Sequence, residues 1–409
     1  MIPCRAVRYN RRMALPIVKL KPQRPERLRH PWVYDNEIAT GPPGVFENGG
    51  VVRVLDSRGK TLGAGYLNHK SKIAVRFLSR QKDEAVNADF WQSRLAQAYK
   101  YRAAHYSDNG TLPEAFRLVH GEADGLPGLI VDKYGPFLVV QFLALGLEPW
   151  REVIIAALAE QLMPAGIYER SDSAVRKLEG LEERVGVLFG DAPPDDLALT
   201  DDGATLLVNL KTGAKTGLFL DQIQNQKAAA KQAAGRDVLN CFSYTGLFGL
   251  RAAFAGAKSI TDVEISPEFN ALNGRQWAQS GLAIPHEVIT ENVFDYLRAL
   301  EANSYRTDMI VLDPPAFTKN RGSRDGAMRG YNEINRVALR LLRPGGVLVT
   351  CSCSHHLSAP EFREIVQTSA RDAGRTLKLI EHRGQPADHP VLLDAPESEY
   401  LKCLILAVE

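Results

Sequence analysis

DVLNCFSYTG, residues 237–246, contains the turn that decides the fold. The apolar residues at its start predict a short buried strand, and the segment 246–256 that follows has the length of a helix. Small residues at a strand-to-helix turn allow close approach of a ligand to backbone amides at the helix start. The turn lacks the GxGxxG spacing of dinucleotide-binding proteins. We therefore predict a ligand site at this turn that differs from the usual dinucleotide-binding site.

Short strands alternate with helix-length segments from about residue 203 onwards. The predicted strands are DVLNCF, SITDVEI, HEVIT, TDMIVLD, GGVLVTCS and LKLIEH. The predicted helices are 246–256, 267–280, 331–342 and 359–373. This alternation predicts an α/β fold with a mostly parallel, doubly wound sheet, whose ligand lies at the carboxyl ends of the strands.

Polar residues follow three of these strands. Glu264 stands where an acidic side chain can bind two ribose hydroxyls, although it could instead cap the helix that starts at Pro267. Asn292 could reach an adenine edge. Asp313 opens the segment DPPAF, whose two prolines end the strand and stiffen the loop. This loop either contributes to the ligand cleft or is only a rigid turn.

Two cysteines end the fifth strand, Cys351 and Cys353, and three interpretations compete for them. Buried apolar thiols are the general expectation. A metal site with His355 and His356 lacks the familiar CxxC spacing, and we assign no metal. A catalytic nucleophile is the third interpretation, and the presence of Asp313 at the neighbouring strand end favours it for Cys353.

The N-terminal part of the chain is basic. Residues 1–80 contain 16 Lys and Arg against 5 Asp and Glu, whereas the remaining residues contain 34 against 43. This segregation favours a polyanion such as nucleic acid as partner, and a solvated Arg-rich surface is the alternative. No apolar run approaches the about 18 residues of a membrane span, and five cysteines are too few for a disulfide framework, so we expect a cytoplasmic protein.

Composition and turn spacing divide the 409 residues into four parts. Residues 1–13 are a tail or an over-called gene start. Residues 14–82 are predicted to form a small all-β module. Residues 83–196 are predicted to form a compact α+β domain that ends in a linker near Asp191. Residues 197–409 form the α/β domain.

The ordered motifs resemble the RlmI-type family of bacterial large-subunit rRNA cytosine-5 methyltransferases. The resemblance runs from about Val18 to the C-terminus and rests on RHPWVY, GEADGLPGLIVDKYG, YERSDSAVRKLEG, KTGLFLDQ, NCFSYTG, DPPAF, the strand ending in CS, and ADHPV. It implies a β-barrel PUA domain that binds RNA, a central α+β domain also in contact with RNA, and a Rossmann-like domain that uses S-adenosylmethionine (SAM). The implied partner is 23S rRNA or a precursor of the large ribosomal subunit, and a homodimer is plausible.

The resemblance also implies roles for individual residues. Cys353 is the nucleophile and Asp313 the acid beside it. The implied SAM-binding residues are Lys215, Gln222, Asn240, Phe242, Ser243, Tyr244, Gly246, Glu264, Asn292 and Asp313. The implied substrate contacts are Arg29, Pro314, Pro315 and Phe317.

Two positions depart from the family pattern: Ile223 replaces the usual Arg, and Asn292 a frequent Asp. Related tRNA enzymes carry a second cysteine after the prolines, where this chain has Ala316. Two other functions stay open on the residues alone. One is methylation of an exocyclic amine by the DPPAF loop, and the other is a non-catalytic RNA-binding assembly factor.

Overall fold

The computed structural model describes residues 15–40, 47–82, 84–317 and 324–409, which form two compact units. The first unit holds the described residues up to Asp195 with Leu210–Gly217 and Pro390–Pro396. The second holds Asp196–Asn209, Leu218–His389 and Glu397–Glu409. The predicted tail, 1–13, lies outside the described residues. The finer boundaries at residues 82 and 196 stay predictions.

A six-stranded sheet begins the first unit. Its strands are β1 (Ile17–Leu20), β2 (Trp32–Tyr34), β3 (Ile38–Thr40), β4 (Val51–Leu55), β5 (Thr61–Leu67) and β6 (Ile73–Ser79), in the order β2-β6-β5-β4-β1-β3, with one short helix, α1 (Pro25–Arg29). In β1, β2 and β4 alternate residues are buried, as the period of two in a strand predicts, whereas most residues of β5 and β6 are buried. Val18, Val52, Val54 and Val75 accordingly meet in one small core.

A second, five-stranded sheet follows in the first unit. Its strands are β7 (Ala115–His120), β8 (Leu129–Tyr134), β9 (Phe137–Phe142), β10 (Gly166–Ser171) and β11 (Arg184–Gly190), in the order β11-β10-β9-β8-β7. Three helices accompany it: α2 (Ala88–His105), α3 (Arg151–Leu162) and α4 (Val175–Leu178). The side chain of Asn87 caps the first of them by accepting a hydrogen bond from the Phe90 amide.

The second unit opens with a hairpin and then builds one large sheet. The hairpin strands are β12 (Leu197–Asp201) and β13 (Ala204–Val208). The sheet strands are β14 (Asp237–Cys241), β15 (Ser259–Glu264), β16 (His286–Thr290), β17 (Thr307–Leu312), β18 (Leu342–Ser352), β19 (Leu377–Arg383) and β20 (Lys402–Val408). The helices are α5 (Ile223–Ala230), α6 (Leu247–Phe254), α7 (Pro267–Ser280), α8 (Val293–Ala302), α9 (Arg324–Leu341) and α10 (Ala359–Ala373).

The order of the large sheet is β16-β15-β14-β17-β18-β20-β19. Strands β14 to β18 are parallel, whereas β20 runs antiparallel to both of its neighbours. The chain leaves β14 towards β15 on one side and later returns to β17 on the other. In such sheets the ligand crevice lies at this switch point, outside the carboxyl ends of β14 and β17. The predicted doubly wound sheet is confirmed, but the sequence prediction did not include β20.

Apolar residues cover both faces of the large sheet. One core contains Leu239, Leu312 and Leu348 with residues of α9 and α10, and the other contains Val238 and Val311 with residues of α5 and α6. Burial on both faces explains why these strands read as continuous apolar runs. Within the described ranges, no helix combines the length and hydropathy that crossing a lipid bilayer requires.

Candidate active site

The turn after β14 has an unusual backbone. Phe242 and Tyr244 have φ angles of 59° and 51°, in the left-handed region that residues with a Cβ rarely adopt, and Gly246 has φ of 78°. Hydrogen bonds hold this path: the Ser243 amide donates to the Val263 carbonyl, and the Gly246 amide to the Ser243 carbonyl. Strained backbone of this kind clusters at ligand-binding sites.

Asp262, on the neighbouring β15, anchors the base of the turn. Its carboxylate is fully buried and accepts hydrogen bonds from the side-chain amides of Asn240 (2.7 Å) and Asn273 (2.9 Å). A Cβ on Gly246 would lie only 2.4 Å from Oδ1 of Asn273. Position 246 therefore accepts only glycine without rearrangement, because both its φ angle and its surroundings exclude a side chain.

Several buried polar atoms around this turn have no partner among the described residues. They are Oδ1 of Asn240, Oγ of Ser243 and Oγ1 of Thr245. Buried polar atoms normally make at least one hydrogen bond, so unsatisfied ones in a native fold call for an explanation. A polar ligand bound at the turn supplies that explanation.

Glu264 is held beside the same turn. Its Oε2 accepts a hydrogen bond from the Tyr244 amide and its Oε1 one from the Ser266 amide, both at 3.0 Å. Ser266, and not Glu264, is the N-cap of α7, so the capping alternative for Glu264 is wrong. A carboxylate offers about four acceptor positions, so two amide contacts leave Glu264 able to accept ligand hydroxyls as well.

Asn292 caps α8, which the sequence analysis did not foresee. Its Oδ1 accepts a hydrogen bond from the Phe294 amide at 2.9 Å, while the residue is exposed at the end of β16. The side-chain amide group is a donor that the cap does not use. A capping role and contact with a nucleobase are therefore compatible.

Asp313 follows β17 and is oriented by Gln222. The Gln222 Nε2 donates to Oδ1 of Asp313 at 2.8 Å, and Asn225 donates to Gln222 Oε1 at 2.7 Å. The second contact fixes which end of the Gln222 amide faces the carboxylate. Gln222 is buried, and its described contacts are with Asp313, Asn225 and the Cys351 thiol.

The two prolines of DPPAF differ in exposure: Pro314 is buried and Pro315 is exposed. Phe317 is half-buried, with its ring centroid 4.6 Å from that of Tyr331 and 5.8 Å from that of Phe294. The ring of Phe317 thus packs into an aromatic wall. Ala316, which follows the two prolines, is exposed.

Cys353 differs from the other described cysteines because it is half-buried, whereas Cys241, Cys351 and Cys403 are buried. A hydrogen bond with Cys403 together with burial raises the pKa of the Cys351 thiol well above its ordinary value, and burial likewise raises the pKa of Cys241. The buried-thiol interpretation therefore applies to these residues. Among the described residues, no group of three or more His, Cys, Asp or Glu side chains could hold a metal ion.

Lys402 is a buried residue of this region that sequence reasoning missed. It opens β20, opposite Ser352 of β18, and its Nζ donates to the carbonyls of Ser354 and Tyr400, each at 2.7 Å. The signal in the sequence was a single lysine at the start of the apolar run CLILAV. That signal was hidden because β20 itself was not predicted.

Two predicted site residues, Lys215 and Arg29, lie in the first unit, together with Trp32 of the motif RHPWVY. Lys215, with φ of 55°, belongs to the segment Leu210–Gly217, and Arg29 is exposed beside Asp394 at 3.3 Å. Trp32 is half-buried, and its Nε1 donates to Glu122 at 2.7 Å. Packing is thus the described role of Trp32. The other predicted site residues lie within, at the end of or shortly after strands of the second unit, and Gln222 contacts one of them, Asp313.

Two family models match the chain. A model of PUA-like domains matches residues 18–80, and a model of S-adenosylmethionine-dependent methyltransferases matches residues 156–406. The second match covers more than half of the 409 residues. The class of protein is therefore a SAM-dependent methyltransferase with an N-terminal PUA-like domain, and its cofactor is SAM.

Curated relatives are similar to almost the whole chain. A protein of Shewanella amazonensis named Ribosomal RNA large subunit methyltransferase I is 41% identical over 396 residues, 96% of this chain and 99% of its own. The protein of the same name from Klebsiella pneumoniae strain 342 is 40% identical over 375 residues, covering 91% and 93%. The chain belongs to the ribosomal RNA large subunit methyltransferase I family.

Solved structures agree on the fold. A chain assigned as a SAM-dependent methyltransferase from Streptococcus mutans has a TM-score of 0.81 at 22% identity and covers 96% of this chain and 100% of its own. A second methyltransferase structure, complexed with SAH, has a TM-score of 0.82, also at 22% identity, with 97% and 100% covered. The unsatisfied polar atoms at the turn after β14 suit the amino and carboxylate groups of the SAM methionine moiety.

Proposed function

We propose that this protein methylates carbon 5 of a cytosine in large-subunit rRNA, with SAM as methyl donor and a transient bond between Cys353 and carbon 6 of the base. The relatives' name supports the rRNA substrate. The choice of carbon 5 depends on the thiol beside Asp313. The basic N-terminal module, with a PUA-like match at 18–80, supplies the RNA contact.

One observation carries the proposal: Asp313 and Cys353 each follow the last residue of two adjacent parallel strands. Leu312, which ends β17, pairs with Thr350 of β18, and β18 ends at Ser352. Both residues therefore lie at the carboxyl edge of the sheet, and the Asp313 amide donates a hydrogen bond to the carbonyl of Cys241, the last residue of β14. Cys353 is half-buried, unlike the other described cysteines, and we infer that a base turned out of its stack reaches it.

Carbon 5 of cytosine is too weak a nucleophile to take a methyl group directly from a sulfonium. Addition of the Cys353 thiolate to carbon 6 makes carbon 5 enamine-like. The ring electrons move towards N3, where Asp313 in its protonated form donates a hydrogen bond and stabilises the charge that develops. Carbon 5 then takes the methyl group that the SAM sulfonium supplies. Loss of the carbon 5 proton to a base expels Cys353 and restores the aromatic ring.

The decisive variant is Cys353→Ala. We expect SAM to bind to it as to the wild type, while methyl transfer to rRNA falls by about 10³-fold or more. RNA that carries 5-fluorocytosine should form a covalent adduct with the wild type only, because fluorine at carbon 5 blocks proton loss. Denaturing gel electrophoresis detects the adduct, and calorimetry measures SAM binding.

Cys351→Ala is the matched control, since Cys351 lies two residues away and is buried. It should lose stability through the cavity it leaves and still form the adduct. Full methyl transfer by Cys353→Ala would refute the mechanism. N-methylated bases in digested product RNA would indicate exocyclic-amine transfer, and failure to incorporate label from SAM would indicate an assembly factor.

We place this reaction in the cytoplasm, on rRNA or a precursor of the large subunit. Lys215, Gly246 and Glu264 among the predicted SAM contacts, and Arg29 among the RNA contacts, are part of this proposal. A homodimer stays a prediction from the resemblance. Bisulfite mapping of rRNA from a deletion strain identifies the methylated nucleotide.

A further inference from the structure

Lys402 is a buried cation beside the proposed nucleophile. Only 3% of its surface is exposed, and its Nζ donates to two neutral acceptors, the carbonyl oxygens of Ser354 and Tyr400. In the described part of the chain, no carboxylate lies within ion-pairing distance of Nζ. A buried ammonium without an anionic partner is costly, so its retention in the core of a site calls for an anion nearby.

Cys353 stands between Ser352, which pairs with Lys402 across the sheet, and Ser354, whose carbonyl accepts from Nζ, so the Cys353 thiolate is the nearest candidate for that anion. Burial lowers the pKa of Lys402 to about 8, while negative charge on Cys353 and, to a smaller extent, on Glu399 acts in the opposite direction. Burial raises the pKa of Tyr331, which contacts Ser354, to about 12, so this phenol is neutral at physiological pH. Two further titratable residues contact Tyr400. The His355 ring stacks on the Tyr400 ring, and the Asp221 carboxylate accepts a hydrogen bond from the Tyr400 hydroxyl.

Electrostatic coupling between two groups is reciprocal. If a thiolate at Cys353 favours the protonated form of Lys402, the ammonium of Lys402 favours the thiolate by the same free energy. Lysine near a cysteine is one of the known ways to increase the thiolate fraction. The two carbonyl contacts fix Nζ, so the charge stays in place when the base enters.

We propose that Lys402 is a positioning residue that keeps Cys353 in the reactive thiolate form. Ionisation releases the thiol proton to solvent and leaves a thiolate and ammonium pair. The negative charge passes into the pyrimidine ring when the bond from Sγ to carbon 6 forms, and methylation of carbon 5 neutralises it. Loss of the carbon 5 proton then supplies the electron pair that restores the ring and expels the thiolate, while Lys402 stays protonated throughout. This inference rests on the proposed function in one respect, the choice of Cys353 as nucleophile.

The test follows alkylation of Cys353 by iodoacetamide from pH 5 to pH 10, in the full chain without RNA. Mass spectrometry of the peptide that contains Cys353 gives the rate, which reports the thiolate fraction. In Lys402→Met we expect the midpoint to rise by about one pH unit and the rate at pH 7 to fall about tenfold. Lys402→Arg, which keeps the charge, should restore most of the rate.

Lys378→Met is the control for loss of a lysine, because Lys378 is exposed on β19. It should leave the midpoint unchanged. If the Met variant fails to fold, Lys402→Gln removes the charge and keeps an amide donor for the two carbonyls. An unchanged midpoint in a folded neutral variant, or equal shifts in the Met and Arg variants, would overturn the inference.

The 5-fluorocytosine adduct separates this inference from the proposed function. Adduct formation without a midpoint shift overturns the role of Lys402 and leaves the proposed function intact. A midpoint shift without an adduct overturns the proposed function and leaves the effect of Lys402 on the thiol established.

Discussion

Gln222 controls the orientation of Asp313 through one hydrogen bond of 2.8 Å. We expect Gln222→Leu to lower methyl transfer about tenfold or more, because small displacements of a catalytic group are costly, with little change in SAM affinity. The variant also removes one of the two acceptors of the Asn225 side-chain amide, the other being the Gly384 carbonyl, which should cost about 1 kcal/mol of stability. Single-turnover kinetics with labelled SAM measure the first effect, and thermal unfolding the second.

Gln226→Leu provides the comparison one turn further along α5. Gln226 is also buried, and its Oε1 accepts a hydrogen bond from Arg251 at 3.2 Å. This variant should lose comparable stability and retain methyl transfer. Equal losses of turnover in both variants would mean that Gln222 acts on stability alone.

Sequence alone predicts residue types at strand ends better than it predicts their contacts. Asp313 and Glu264 were predicted as site residues from their positions at the ends of apolar strands, which depend on local pattern. The resemblance places Gln222 at the cofactor, whereas the described contact is with Asp313, 91 residues away. Lys402 was missed for the same reason, since its partners come from packing across the sheet and not from its sequence neighbours.

The turn after β14 is the element whose shape depends on one glycine. Gly246→Ala places a Cβ 2.4 Å from Asn273 in a backbone of positive φ. We expect a loss of about 2–3 kcal/mol in stability and at least tenfold weaker SAM binding, because the turn must move to relieve the contact. Calorimetric titration with SAH measures the binding.

Gly281→Ala isolates the steric part of this effect. Gly281 ends α7 with φ of 68°, and a Cβ there would meet nothing within 4 Å. This variant should cost only about 1 kcal/mol for the backbone conformation and should leave SAH affinity unchanged. Weak binding by the control would show that SAM affinity follows global stability.

Helices with a clear hydrophobic period could be predicted from the sequence, whereas a strand that inserts between two others in the sheet could not. The predicted helices 267–280 and 359–373 coincide with α7 and α10, because Ser266 and Ser358 mark their starts and glycines their ends. Strand β20 was missed because a short apolar run does not reveal whether it enters a sheet, or where. Its position between β18 and β19 depends on long-range pairing.

At the scale of the whole molecule, a buried ion cluster joins distant parts of the first unit. Glu179, 2% exposed, accepts hydrogen bonds from Asn68, Ser71 and Arg76. Burial alone would raise the pKa of Glu179, but the charge of Arg76 and these donors together lower it below its ordinary value of 4.5. Its stabilising contribution is therefore complete above pH 4.5 and is lost as the pH falls through the lowered pKa.

Glu179→Gln tests this cluster. We expect it to lower the free energy of unfolding of the first unit by about 3 kcal/mol at pH 7, since Arg76 loses a buried anion. At acid pH the free energies of unfolding of the variant and the wild type should differ less, because Glu179 of the wild type is then protonated. Tryptophan fluorescence during urea unfolding is suitable, because Trp32, Trp91 and Trp150 all lie in this unit. Glu183→Gln, at an exposed ion pair, should leave the free energy of unfolding unchanged at both pH values. A constant difference between pH 7 and pH 3 would contradict the linkage.

The basic N-terminal module predicts a salt-dependent affinity for RNA. Arg58 and Lys60 are exposed in the turn between β4 and β5, where Asp56 Oδ1 accepts hydrogen bonds from both of their backbone amides. Replacing both with Gln should weaken rRNA binding and reduce the slope of log K against log salt by about 0.7 per lost phosphate contact. Fluorescence anisotropy over a salt series measures the slope.

Lys231→Gln with Lys378→Gln removes the same charge from exposed positions of the second unit. An equal change of slope in both double variants would mean that net charge, and not the module, determines binding. Sequence composition sufficed for this prediction, because charge segregation does not require knowledge of the fold.

The order of the large sheet has a consequence for synthesis of the chain. Residues 402–408 are translated after the other six strands, yet they fill the gap between β18 and β19. Until they leave the ribosome, the growing polypeptide exposes an unpaired edge of β18, which is prone to aggregation. A nascent chain that stalls before residue 402 lacks β20, so β18 and β19 are not joined. Premature termination there should give insoluble fragments and no partly active enzyme.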